Sequence, residues 1–171
     1  RLAERADVVL ENFPPGKLEA LGLGWDVLRE RNPKLVLTSV TAFGRTGPLA
    51  DEPGYDLVVQ GYGGIMGLTG PVEGPPYRVG VPIVDLTTGM NAALATLAAL
   101  RAAERDGLGQ HVDVNLFDTH LAWLANVAAN TLMSGEPSPR LGNAHPNVAP
   151  YEPFPAADGW LLLAVGNDAQ W

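Results

Sequence analysis

The chain has no cysteine in its 171 residues. That excludes disulfides, zinc–thiolate centres and thiol nucleophiles, and a reducing cytoplasm is the expected compartment. Basic residues are few as well: 11 Lys and Arg stand against 19 Asp and Glu, for a net charge of −8. A nucleic-acid partner requires Lys and Arg clustered against phosphates. Here Lys17, Arg45, Arg78, Arg101, Arg105 and Arg140 are scattered through separate segments. The balance argues against nucleic acid, while leaving room for a small polyanion held by a few local groups. No uninterrupted run of about eighteen apolar residues occurs, so no membrane-spanning helix and no membrane partner are expected. The stretch Arg1 to Asp7 lacks both the apolar core of a signal peptide and an initiator Met. The expectation is a segment of a longer chain.

What is present suits one packed domain. Hydrophobic residues make up 46% of the sequence, enough for a core at this length. The glycines and prolines fall between apolar runs rather than in a low-complexity tract. Asp7 to Glu11 reads as a buried strand ending in the turn Asn12-Phe13-Pro14-Pro15-Gly16. Short helices are expected over Lys17 to Leu21 and Trp25 to Asn32, the second stopped at Pro33. Leu35 to Val40 is the clearest strand, and Tyr55 to Gln60 reads as a helix. Val81 to Val84 reads as a short apolar strand, followed by a long helix from Leu86 to Arg105. Ala and Leu occur on nearly every face of that helix, which predicts burial rather than amphipathicity. His111 to Val114 is a strand. Asn115 and Asp118 form a capping pair for a helix over Leu116 to Met133, and Trp160 to Val165 is a last strand. Strands alternating with helices, the first of them apolar on both faces, predict an α/β fold with a Rossmann-like, mostly parallel sheet flanked by helices.

Asp85 is the leading candidate for chemistry. At a strand-to-helix switch a carboxylate meets free backbone N–H groups and the positive end of the helix dipole. Such a group stays ionised and points outward, as a nucleophile must. The plainer role is an N-cap, worth on the order of 1 kcal/mol, and the two roles are compatible. Other constellations carry less. The glycines of 61–70 fail the dinucleotide fingerprint because Met66 stands where the third glycine belongs; a packed loop or a lid over a site fits them better. His111, Asp113, Asp118 and His120 do not share one face, so capping and surface histidine are expected rather than a metal site. Ser39 and Ser134 lack a G-x-S-x-G elbow. Asn143-Ala144-His145-Pro146-Asn147 is a polar loop, either an exposed connection or a substrate-facing one.

Seven ordered pieces give the chain a family likeness: Ala6 to Gly16, Pro33 to Val36, Gly44 to Pro48, Gly54-Tyr55-Asp56, Asp85 with Thr88-Gly89-Met90, Gly107 to Gln110, and Gly142 to Pro146. In these the chain resembles the class III CoA-transferases, the group that includes formyl-CoA and carnitine CoA-transferases, over the central portion of their longer chains. The resemblance implies residues 1–135 as part of the large α/β domain and 136–171 as a linker and the start of a second, smaller one. It implies an acyl-CoA:carboxylate CoA-transferase in which Asp85 forms an aspartyl anhydride and then an aspartyl–CoA thioester. Backbone N–H groups of Leu86 to Thr88 would serve the oxyanions. Asn12, Phe13 and Pro14 match the family's CoA-contacting turn, and Tyr55 and Asp56 match the aromatic–acidic pair beside the nucleophile. Coenzyme A enters as substrate, as acyl-CoA with a small carboxylic acid, and no tightly bound cofactor is implied. Members form interlocked homodimers. The related α-methylacyl-CoA racemases carry His where Tyr55 stands, and a Tyr with pKa near 10 suits α-proton transfer poorly. Racemase is the same-fold alternative, and an inactive segment that only binds CoA or dimerises is the other.

Overall fold

The computed structural model describes residues 1–171, which divide into two compact units. The first comprises 1–63 and 81–123; the second comprises 64–80 and 124–171. The boundary expected at 135 therefore falls inside the second unit.

The first unit holds a parallel three-stranded sheet in the order β1-β2-β3, formed by β1 (Val8–Glu11), β2 (Val36–Thr41) and β3 (His111–Asn115). Val8 pairs with Val36 and Leu37 with His111. Parallel strands require crossovers, and helices supply them. Between β1 and β2 run α1 (Lys17–Ala20) and α2 (Trp25–Arg31). Leu18 and Leu28 pack there on Leu35 and Leu37. On the opposite face of β2, Val36 packs against Ala99 and Ala103 of α5 (Ile83–Asp106), and Thr38 shares a 2.7 Å hydroxyl hydrogen bond with Thr96. Small side chains let the helix approach the sheet closely. The α/β class and the parallel sheet are as expected.

Two sequence expectations fail in this unit. Val81 to Val84 is not a strand: the helix starts at Ile83 and absorbs its end. The long helix is not buried all round. Val84, Thr88, Ala92, Ala99 and Ala103 face inward, whereas Leu86, Met90, Leu94 and Leu97 form an exposed apolar row. An apolar residue on every face let no periodicity reveal which side packs. α5 is also long and apolar enough to cross a membrane, by length and composition alone. Thr, Asn and Gly interrupt the apolar run without lowering its average far, which is why counting an unbroken run missed it. The core helix of a soluble protein meets the same criterion, and α5 packs on the sheet. It ends at Gly107, whose φ of +74° is the left-handed C-cap that glycine adopts without strain.

The capping pair before α6 (Leu116–Trp123) forms as read from the sequence. Asp118 donates its amide to Asn115 Oδ1, and Asn115 Nδ2 donates to Asp118 Oδ2, both at 2.7 Å. The helix does not continue to Met133. It breaks after Trp123 and resumes as α7 (Ala125–Ser134), with Ala125 at a φ of +41°. No Gly or Pro marks that break, so no local pattern announces it. The remaining helices of the chain are α3 (Asp56–Tyr62) and α4 (Ile65–Leu68). In the second unit an antiparallel pair joins β4 (Tyr151–Ala156) to β5 (Gly159–Ala164). β4 escaped the sequence reading because Pro153 and Pro155 sit within it; a two-stranded hairpin tolerates them where a central strand would not.

Candidate active site

The site grows from the carboxyl end of the parallel sheet, where ligands bind in open α/β folds. The first turn of α5 lies there, with Val84 packed against Val40 and Phe43 around the end of β2. Pro82 occupies the N-cap and has no capping side chain. The cap comes instead from α3. Asp56, only 8% exposed, accepts through Oδ2 from the amides of Val84 at 2.8 Å and Asp85 at 3.2 Å. Gln60, one turn along α3, donates its side-chain amide to Asp56 Oδ1. Thr87 and Thr88 turn their hydroxyls back onto the carbonyls of Ile83 and Val84 at 2.7 Å, completing the turn.

Asp85 is thus not the N-cap but a first-turn residue, exposed to solvent, with its main chain held by another carboxylate. Partial desolvation of the carboxyl by its neighbours, and then the Asp56 charge, push it above the ordinary aspartate value. The helix dipole acts in the opposite sense, favouring ionisation. The expected oxyanion donors are corrected too. Of the expected donors, Leu86 already gives its amide to Pro82 O, and the amides before it, of Ile83, Val84 and Asp85, are held by Val81 O, Asp56 and Asp56 respectively. Helix starts normally leave such groups open; Asp56 closes this one.

Tyr55 is placed beside Asp56 by the start of α3, with its side chain 82% exposed. Asn12, Phe13 and Pro14 form the turn after β1. Phe13 donates its amide to Glu11 Oε2 at 2.8 Å, and Pro14 O accepts from Lys17 N at 3.1 Å to begin α1. The main chain is anchored while the Asn12 amide and Phe13 ring face solvent. Of the six residues singled out, the fold joins Asp56 to Asp85 directly. The Asn12–Pro14 turn sits at the same end of the sheet with no hydrogen bond to that pair.

Several participants escaped the sequence reading. Gln60 lies four residues after Asp56, a helical spacing that could have flagged it. Glu11 is 8% exposed and reads merely as a strand end. His120 was expected at the surface, yet it is 1% exposed and its Nε2 has no hydrogen-bond partner. Alternation of polar and apolar residues on α6 is too weak to reveal a buried imidazole. His111 pairs with Ser39 across the sheet at 2.9 Å, but Ser39 is fully buried and out of a substrate's reach. In the second unit, the Asn143–Asn147 loop borders a cavity of about 290 Å³ lined by Leu68, Val127, Asn130, Ser138, Leu141 and Ala144, among others.

An open α/β sheet with a carboxylate pair at its carboxyl end defines the class of fold and site, and comparison with known proteins supplies the family. CoA-transferase family III matches residues 1–171, so the chain belongs to that family. It is 52% identical over 171 residues to a succinate–glutarate CoA-transferase of Agrobacterium fabrum, covering all of this chain and 43% of that protein. It is 39% identical over 170 residues to a human succinyl-CoA:glutarate CoA-transferase, covering 99% and 39%. A crystal structure of a CAIB/BAIF family protein from Brucella suis superposes with a TM-score of 0.87 at 46% identity, covering 98% and 44%. The chain spans less than half the length of the curated relatives it matches.

Proposed function

We propose that the protein containing this chain is an acyl-CoA:carboxylate CoA-transferase with Asp85 as its nucleophile. The observation that carries this is the solvent-facing Asp85 carboxylate on a helix turn whose amides are clamped by a second, buried carboxylate. An anchored main chain and a free side chain are what covalent catalysis requires. An Asp85 oxygen attacks the thioester carbonyl; the C–S bond breaks and CoA leaves as thiolate, giving a mixed anhydride. The thiolate then attacks the Asp85 acyl carbon, releasing the donor acid and leaving an aspartyl–CoA thioester. The acceptor carboxylate attacks that thioester, and the returning thiolate takes the acceptor's acyl group and regenerates Asp85. No proton or electron is gained or lost over the cycle. A raised carboxyl pKa makes Asp85 a stronger nucleophile once ionised.

Asn12 and Phe13 are proposed to contact CoA, since an amide and an aromatic ring are left unsatisfied at the site's end of the sheet. The relatives named above act on succinate and glutarate, so short dicarboxylic acids are the proposed acceptors. Tyr55 in place of a histidine argues against the racemase. We further propose a homodimer, for which the exposed row Leu86, Met90, Leu94 and Leu97 on α5 is the supporting surface.

The test uses the full-length protein with succinyl-CoA, glutarate and hydroxylamine. The expected result is a hydroxamate mapped to Asp85 and a loss on the order of 10³-fold or more in turnover for Asp85→Ala. Undiminished turnover in Asp85→Ala would overturn the assignment.

A further inference from the structure

One buried group has no part in the acyl transfer just described. His120 on α6 is 1% exposed, with an unpartnered Nε2. Its ring lies against Gly63, the C-cap of α3. A Cβ at Gly63 would overlap the ring at Cδ2 and stand 2.5 Å from Nε2. The φ of Gly63 is −81°, ordinary for any residue, so it is the imidazole and not the backbone that demands glycine. Tyr62, the last residue of α3, also packs on Phe117 of α6 with ring centroids 5.8 Å apart. The carboxyl end of α3 is therefore seated on α6. Its amino end is Asp56, which holds the amides of Val84 and Asp85. Seven residues of helix connect the two ends.

We propose that His120 is a positioning residue for Asp85: through its fit against Gly63 it sets α3, and through Asp56 it sets the first turn of α5. It touches no reacting atom. The linkage is electrostatic as well as steric. Asp56 is the carboxylate whose charge reaches the ring; its charge and the polar main chain of Gly63 favour the imidazolium, while burial opposes it and prevails. A neutral ring lets Asp56 act on Asp85 without a compensating cation, which preserves the raised basicity of the nucleophile. Removing the ring unseats Gly63 and with it the position of Asp56 against Asp85.

This inference rests on the nucleophile reading above, and two readouts in the full-length protein separate the failures. The first is the carboxyl titration of Asp56 and Asp85 by ¹³C NMR in parent, His120→Gln and His120→Leu. The second is kcat against KM with succinyl-CoA and glutarate in the same three proteins. His120→Leu is expected to shift the Asp85 titration and lower kcat by about tenfold or more, with KM for acyl-CoA nearly unchanged. His120→Gln, which keeps a polar atom, is expected to recover much of both. An unmoved Asp85 titration with parental kcat in folded His120→Leu would overturn the proposal. Equal losses in Leu and Gln variants, tracking only their melting temperatures, would overturn it as well. If Asp85→Ala retained turnover, the nucleophile reading would fail, while the titration shift would still report on the His120 linkage by itself. Should His120→Leu not fold, Gly63→Ala decides, since its methyl displaces the ring from the same contact: a shifted Asp85 titration with lowered kcat supports the proposal, and a parental titration with parental kcat overturns it.

Discussion

At the scale of single residues, the site is a pair of carboxylates with unlike surroundings. Asp56 is buried and accepts from Val84, Asp85 and Gln60; Asp85 is exposed and accepts from none of them. Asp56→Ala should free two first-turn amides and cost about 1–2 kcal/mol, a drop of a few degrees in melting temperature by calorimetry. It should also remove the charge that raises Asp85. Since Asp85 must be ionised to attack, the acid limb of the pH–rate profile is expected above the ordinary aspartate value of about 3.9. Asp56→Asn should move that limb downward. The sign for stability is opposite. A carboxyl raised by folding binds its proton more tightly in the native state, so Asp85 contributes stability below the unfolded value that is lost as pH rises through the folded one. Asp85→Asn should therefore raise, not lower, the melting temperature at neutral pH. The histidines work the other way. His111 and His120 are both held below the ordinary histidine value, chiefly by burial. Their contribution is present above about pH 6.5 and lost as pH falls through their folded values. Thermal melts from pH 7.5 to 5 should show this decline, flattened in His111→Gln. Asp85 was legible in the sequence as a candidate from its place near a helix start. The role of Asp56 as that helix's cap was not, because capping here acts across 28 residues of chain rather than within one turn.

At the scale of elements, α5 decides most. It carries Asp85 at one end, covers the sheet with small residues, and shows Leu86, Met90, Leu94 and Leu97 outward. Ala99 is buried against Val36. Ala99→Leu should overpack that contact and cost about 1–3 kcal/mol, read as a lower midpoint in denaturant unfolding. The strands β1, β2, β3 and β5 were legible because their apolar runs are short and bounded by turn residues, and the Asn115–Asp118 cap because both partners lie within one turn. The start of α5 was not, because Val81 to Val84 carries a strand-like apolar run that the Asp56 cap draws into the helix. The break between α6 and α7 was equally hidden: Trp123 to Ala125 contains no residue that interrupts a helix by itself.

For the molecule as a whole, family membership follows from residues 1–171 together, and no single motif would have sufficed. The proposed homodimer belongs to this scale. Leu94→Glu places a charge in the middle of the exposed α5 row, and light scattering on the full-length protein should show the dimer shifted toward monomer. An unchanged mass would place the interface elsewhere. By itself the sequence determined the α/β class, the order of the main elements and Asp85 as the group to test, because these depend on periodicity, turn chemistry and short motifs that are local in the chain. Only the tertiary structure decided that Asp85 is clamped rather than capping, that the nearby amides are already engaged, and that His120 is buried against Gly63. Each of those facts is a contact between segments distant in sequence, fixed by how α3, α5 and α6 pack, and no local pattern encodes such a contact.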